Sequence, residues 1–225
     1  MANETETRKR VKLPEAERLF LLSQNERPFW ERGTAVAGMD EVGRGPLAGP
    51  VVAACVMMPP NCLIEGVNDS KKLSKKKLEM LHDRIIESAL AYGVAFVDEK
   101  TIDEINILQA TKRAFKLAYQ TMLDKGSFCD TVFVDAVKDL DIAADQHPLI
   151  HGDAVCYSIA AASIVAKIER DRFMVKMSEK YPQYGFEKNV GYGTKQHIDA
   201  LKQFGPCEIH RRSFIKNFVS TPVFD

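Results

Sequence analysis

Neither sign of charge is in excess: 31 lysines and arginines balance 31 aspartates and glutamates, so the formal net charge is zero. A global basic field is thereby excluded as the reason for a nucleic-acid partner, and any such case must rest on local clusters. Cysteine is sparse. Cys55, Cys62, Cys129, Cys156 and Cys207 are odd in number and scattered, without the C-x-x-C spacing of zinc sites or redox dithiols, and they read as reduced, mostly buried thiols. Long apolar runs are missing as well. The longest, around Ile159 to Ala166, is too short and too alanine-rich to span a bilayer. The charged opening Met-Ala-Asn-Glu-Thr-Glu-Thr-Arg-Lys-Arg has no apolar core of a secretory signal. A cytoplasmic protein with no membrane partner is expected, and no internal repeat or low-complexity linker breaks the chain.

What is there suits a folded domain: 45% hydrophobic and 28% charged residues in a chain of 225, long enough for one α/β core. Residues 1–33 are polar, with helical spacing at Leu13, Ala16, Leu19, Phe20 and Ser23, and read as an N-terminal extension. Residues 34–218 then form the main domain and 219–225 a tail. Short apolar runs at Ala35–Met39, Pro50–Met57, Tyr92–Val97, Thr131–Val134 and Pro148–Ile150 have strand length. Between them lie a helix opened by Ser74, with Leu78, Leu81 and Ile85 on one side, and a second opened by a capping box at Thr101-Ile102-Asp103-Glu104. Gly126 is expected to end that second helix. A long helix from Ser158 onward is rich in alanine and serine, which lets it lie close under a sheet.

Strands alternating with helices imply a sheet covered by helices, with ligands at strand ends. Acids stand at such ends. Asp40-Glu41 follows one strand, Asp135 follows another, and Asp153 precedes the long helix, whose N-terminal dipole tolerates a carboxylate. Four converging carboxylates repel one another in a low-dielectric pocket, and hard divalent cations relieve that repulsion. Two such ions roughly 3.5–4 Å apart can activate water on one side of a phosphodiester and stabilise the leaving oxygen on the other. Adjacent strand residues point to opposite faces, so Asp40 and Glu41 share a site only if their strand ends or kinks there, as Gly43-Arg44-Gly45 would permit.

The run Gly38-Met39-Asp40-Glu41-Val42-Gly43-Arg44-Gly45-Pro46-Leu47-Ala48-Gly49-Pro50 resembles the opening signature of the type 2 ribonuclease H family. Asn68-Asp69-Ser70-Lys71-Lys72-Leu73, Ile105–Ala110, Gly152-Asp153 with Ser158–Ile164, Gly191-Tyr192-Gly193-Thr194 and His210-Arg211-Arg212-Ser213-Phe214 resemble further family motifs in the same order. The resemblance spans about Ala35 to Phe218. It implies a ribonuclease H-like mixed five-stranded sheet flanked by helices, with a helical and loop-rich C-terminal segment. It implies Asp40, Glu41, Asp135 and Asp153 as catalytic, metal-binding acids using Mg²⁺ or Mn²⁺. It also implies that Gly43, Arg44 and Gly45 contact a ribonucleotide and its flanking phosphate, and that Tyr192 packs on the neighbouring sugar. A 2′-hydroxyl is both donor and acceptor, so close backbone groups can recognise it without reading a base.

The activity so implied is endonucleolytic cutting of the RNA strand of RNA/DNA hybrids and of DNA 5′ to embedded ribonucleotides, in ribonucleotide excision repair, by a monomer. Lys71, Lys72 and Arg211 are further candidates for phosphate contact, although a basic run is usually a solvated helix face and Arg211 is equally suited to bracing the C-terminal segment. His197 and His210 lack metal-site spacing and read as surface or loop residues. The chain departs from the family pattern at Ala136, where glycine is frequent, and at His151 and Val190, where lysine is. Two other readings stay open: a junction-resolving nuclease of the same fold, sharing the acids without the demand for a 2′-hydroxyl, and a non-catalytic hybrid-binding module, which would leave the repelling acids unexplained.

Overall fold

Five strands form one mixed sheet in the computed structural model, which describes residues 13–124 and 127–219. They are β1 (Val36–Val42), β2 (Val51–Met57), β3 (Ala91–Val97), β4 (Thr131–Asp135) and β5 (Asp145–Leu149). Their spatial order is β3-β2-β1-β4-β5. The first three pair antiparallel, whereas β1 with β4 and β4 with β5 pair parallel. Connection length decides this: a tight loop turns β1 back into β2, while helix α3 (Lys75–Ser88) and helix α4 (Glu99–Leu123) intervene before β4 returns beside β1.

Residue alternation along β1 assigns the two faces. Ala37 and Met39 point into a core shared with Ala110, Ala114, Phe115 and Ala118 of α4. Gly38 points the other way, onto helix α6 (Tyr157–Lys180), whose Ala160, Ala161, Ile164 and Val165 pack with Ala54 and Val56 of β2. The small-residue face of α6 is what allows the approach. A Cβ on Gly38 would stand 2.0 Å from the carbonyl carbon of Ser158. On the outer side of α6, α3 contributes Leu78, Leu81 and Ile85, and Ser74 caps it by accepting from the Lys77 N–H.

Several boundaries differ from expectation. β1 runs past both acids to Val42 rather than ending or kinking at them, because its pairing with β2 continues through Val42 opposite Val52. β5 begins three residues before the expected Pro148–Ile150 and ends at Leu149, set by its parallel register on β4. Thr101 does not cap α4: Asp98 does, accepting the Thr101 N–H at 2.8 Å, while the Asp103 carboxylate binds the backbone N–H groups of Arg212 and Ser213. α4 is also broken at Asn106 (φ 67°), whose Oδ1 accepts from the Leu108 and Gln109 N–H groups and caps the helix afresh. Gly126, residues 1–12 and the tail beyond 219 lie outside the described residues.

Before β1 come α1 (Glu15–Leu22) and α2 (Arg27–Trp30), and their polar side chains reach segments beside the acids. Arg18 donates to Val67 O and the Gly66 N–H donates to Glu15. Asn25 donates to Val155 O in the short helix α5 (Gly152–Val155). Glu26 is fully buried and accepts the Ser158 N–H at 2.7 Å and the Cys156 thiol at 3.2 Å. Helix α6 has no capping side chain of its own at Cys156, so Glu26 supplies one from outside. After α6, helices α7 (Phe186–Asn189), α8 (Lys195–Phe204) and α9 (Arg212–Ile215) close a separate cluster of Leu47, Met174, Tyr184, Phe186, Leu201 and Ile209. All five cysteines are free, three of them buried. Among the described residues no helix is long and apolar enough to cross a membrane.

Candidate active site

The β1–β4 ladder stops at Met39 opposite Val134, so the next step along both strands brings Asp40 beside Asp135. In parallel register, partners share a face, which explains how two acids distant in sequence come together. Asp40 is 5% exposed. Its Oδ1 accepts the Glu41 N–H at 2.8 Å and its carboxylate also takes a hydrogen bond from Ser163 of α6. Ser163 in turn meets Ser70 at 2.8 Å. Burial, then the charges of Glu41 and Asp135, push the Asp40 carboxyl well above its ordinary range.

Glu41 lies on the other face of β1 yet joins the same electrostatic group. Burial raises its carboxyl; Arg44, 3.3 Å from Oε1, opposes that and Asp135 reinforces it. Its Oε2 is buried without a hydrogen-bond partner. Asp135 Oδ1 accepts the Gly152 N–H at 2.7 Å, which ties the end of β4 to the start of α5, where Asp153 follows. Burial and then the Asp153 charge, against that N–H, raise Asp135 too. Asp153 is 4% exposed and pairs with Lys71 Nζ at 3.2 Å. Burial alone would lower the Lys71 ammonium, but Asp153 and Asp40 together raise it. No three acids among the described residues stand close enough to make a ready cation cage. The carboxylates are instead gathered around one edge, with a lysine among them.

Beside the acids, the Gly43-Arg44-Gly45 loop leaves β1. Gly43 has φ +88°, and a Cβ there would lie 2.2 Å from Arg170 Nε, so only glycine fits. Arg44 and Gly45 are exposed. Tyr192, 46% exposed, sets its ring edge 3.8 Å from the Cβ direction of Gly45. The remaining candidates fare differently. Lys72 pairs with Asp69 at 3.2 Å, not with the four acids. Arg211, expected at the substrate, is fully buried: Nε donates to Gly49 O and the terminal nitrogens donate to Arg44 O and Gly43 O. All three of its nitrogens are engaged in bracing the loop from beneath, and its burial keeps it from a phosphate. Sequence reasoning missed Arg170, Ser163 as an Asp40 partner, Ser70 and Glu26. Of these only Ser163 and Ser70 stood in recognised motifs.

His197 and His210 are not surface residues; both are buried, packed edge-on to Tyr184 and Phe186. Their partners fix the tautomers. The Cys207 N–H donates to His210 Nδ1, so His210 Nε2 carries the proton and donates to His197 Nε2 at 3.0 Å, and His197 Nδ1–H donates to Tyr192 O at 2.9 Å. Either extra proton would set two donors face to face. Burial first, and then the neighbouring imidazole, push His210 down to about 3, and burial lowers His197. A base whose folded pKa is depressed contributes stability above its unfolded value of about 6.5 and loses it as pH falls below that. For His210 the expected cost one unit below is about 1.4 kcal/mol, and His197 adds to it in the same direction. Thermal melts from pH 8 to 5 should show it, and His210→Gln should lower the pH 8 midpoint while flattening the acid limb. An equally steep limb in that variant would contradict the assignment.

A mixed sheet in this order, with carboxylates gathered where β1 and β4 part company, defines a nuclease of the ribonuclease H-like class. Known proteins narrow the class. The family model for ribonuclease HII matches residues 37–217. The ribonuclease HII of Ruminiclostridium cellulolyticum is 52% identical over 206 residues, 91% of this chain and 80% of that protein. The crystal structure of ribonuclease H2 from Pyrococcus horikoshii matches with a TM-score of 0.68 at 30% identity, covering 80% of this chain and 93% of that one. Bst-RNase HIII in complex with Mn²⁺, 20% identical, shares the fold at a TM-score of 0.57, over 86% of this chain and 66% of that one. The chain belongs to the ribonuclease HII family, enzymes that cleave the RNA strand of RNA/DNA hybrids.

Proposed function

We propose that this enzyme hydrolyses the phosphodiester 5′ to a ribonucleotide, both in RNA/DNA hybrids and at single ribonucleotides in duplex DNA, leaving 3′-hydroxyl and 5′-phosphate ends. The observation that carries the reading is the buried Asp40 carboxyl, raised by that burial and then by the Glu41 and Asp135 charges, at the edge where Asp153 also arrives. Such a set of hard oxygen donors, one of them the unpartnered buried Glu41 Oε2, fits Mg²⁺ or Mn²⁺. Neither cation needs a complete protein cage, because both keep waters and share ligation with substrate phosphate. Asp40, Glu41, Asp135 and Asp153 would hold them. Two bound ions supply activation of the attacking water and neutralisation of the leaving oxygen.

The chain's own residues do the rest. Ser163 and the Glu41 N–H orient the Asp40 oxygens, and the Gly152 N–H orients Asp135. Lys71 balances Asp153 and, largely exposed, can follow a phosphate. The Gly43–Gly45 loop and Tyr192 stand side by side, so one meets the ribonucleotide while the other packs on the adjoining sugar. Nothing in this apparatus reads a base edge, which supports cutting independent of sequence. A monomer in a reducing cytoplasm suits the five free thiols.

Three substrates test the reading: a DNA duplex with one ribonucleotide, an all-DNA duplex and a branched junction, each with Mg²⁺, Mn²⁺ or chelator. Cutting is expected only at the ribonucleotide and only with metal. Cleavage of the junction while the ribonucleotide duplex stays intact would replace this proposal with a junction-resolving activity.

A further inference from the structure

Arg170 and Arg211 are both fully buried, and neither makes an ion pair among the described residues. A buried charge is costly unless it is hydrogen-bonded, and here the compensation comes from six backbone carbonyls. Arg170 donates to Pro50 O at 3.0 Å, Ala48 O at 3.1 Å and Val190 O at 2.9 Å. Arg211 donates to Gly49 O, Arg44 O and Gly43 O. Five of the six carbonyls belong to the loop between β1 and β2. The sixth belongs to the segment that carries Tyr192. The Leu47 N–H, donating to Gly191 O at 2.8 Å, ties the same two segments.

Peptide geometry turns this into a statement about donors. No cis peptide occurs among the described residues, and in a trans peptide the C=O of one residue and the N–H of the next point in opposite directions. Drawing Gly43 O and Arg44 O inward to Arg211 therefore directs the Arg44 and Gly45 N–H groups outward, at the exposed rim beside Tyr192. Consecutive outward N–H groups over buried positive charge form a site for an oxygen acceptor. The guanidinium groups stay charged near neutrality: burial brings Arg170 down only to about 10, and burial with the Arg170 charge brings Arg211 to about 9.

Building on the ribonucleotide-directed reading, we propose that Arg170 and Arg211 are positioning residues for substrate discrimination. From beneath, Arg211 holds the Arg44 and Gly45 N–H groups outward toward the ribose 2′-hydroxyl and its phosphate, and Arg170 locks that loop to the Tyr192 segment as one rigid unit. Neither touches substrate. The fork matters more than the charge, because one guanidinium spans three carbonyls and an ammonium cannot span them in the same plane.

The experiment compares the parent with Arg211→Lys and Arg170→Lys. Fluorescence anisotropy, with chelator present to prevent cutting, gives affinity for the single-ribonucleotide duplex and for the all-DNA duplex over a range of salt. Thermal melts check folding. In the parent the ribonucleotide duplex should bind about tenfold more tightly, the worth of one or two hydrogen bonds. In each lysine variant that preference should fall toward one, while all-DNA affinity and the slope of log affinity against log salt stay at parental values. A parent without preference, and without cleavage at the ribonucleotide, would defeat the functional reading itself. A discriminating parent with equally discriminating, folded variants would overturn this inference alone. So would loss of binding to both duplexes in unfolded variants, which would make the arginines core supports only.

Discussion

Asp40→Asn is expected to abolish cleavage and at the same time raise the melting temperature of the metal-free protein. The loss follows from the site: Asp40 is the acid on which burial, Glu41, Asp135 and Ser163 converge. Removing a carboxylate that would hold a catalytic cation, as proposed above, should cost several kcal/mol of transition-state stabilisation, on the order of 10³-fold or more in kcat. The gain in stability follows from the sign of the shift. A carboxyl whose folded pKa is raised favours the fold while protonated, at pH below its unfolded value near 3.9, and that contribution is lost as pH rises through the folded pKa. At neutral pH the ionised group therefore opposes folding, and the neutral amide relieves it. About 1 kcal/mol, or 2–4 °C for a domain of this size, is the expected gain. Calorimetry with chelator, paired with single-turnover cleavage in Mg²⁺, measures both. Retained activity would remove Asp40 from the catalytic group, and a lower midpoint would contradict the repulsion on which the site is argued.

The second large effect concerns Gly38, two residues earlier and on the same face of β1. A methyl at this position would lie 2.0 Å from the Ser158 carbonyl carbon, 2.2 Å from its oxygen and 2.3 Å from the Ile159 nitrogen. All three are backbone atoms of α6, so no side chain can swing aside. Gly38→Ala is expected to cost about 3 kcal/mol or more, since overpacking against a rigid element has no cheap relaxation. The midpoint should fall by roughly 9 °C. Activity should fall in protein that still folds, because α6 carries Ser163 to Asp40. Gly45→Ala is the control: its nearest neighbour is the Tyr192 ring at 3.8 Å, and stability should move by less than about 0.5 kcal/mol. Urea midpoints for the pair give the comparison, and equal midpoints would show that α6 does not lie on β1 as described.

The strands, the small-residue helix and the acids at strand ends were legible because each leaves a local pattern. What joins them was not. Asp40 meets Asp135 through parallel register, a property of two strands and not of either alone. Glu41 reaches the group from the opposite face because β4 ends at Asp135 and exposes the edge of β1, so no kink was needed. Arg170 drew no notice and Arg211 was a candidate for phosphate contact or bracing, because buried charge satisfied by carbonyls leaves no trace in hydropathy. The histidine pair escaped for a similar reason, since thirteen residues of separation is no recognisable spacing. Ala136, noted as a departure where glycine is frequent, has φ 50°, and Val190 has φ 44°. A side chain in the left-handed region costs about 1–2 kcal/mol that glycine avoids, so Ala136 brings strain close to the site, whereas at position 190 lysine would bear it as well.

Glu26 gives the chain an unusual order of completion. The first turn of α6 needs an acceptor for the Ser158 N–H, and that acceptor lies 132 residues earlier. Closing so long a loop is slow relative to winding a helix. During synthesis, the part of the chain that leaves the ribosome early must wait, solvated, until all five strands and the start of α6 have been made. The family match begins at residue 37, beyond Glu26, so an enzyme trimmed to that boundary would keep Asp40, Glu41, Asp135 and Asp153 yet lose the last stitch in its central helix.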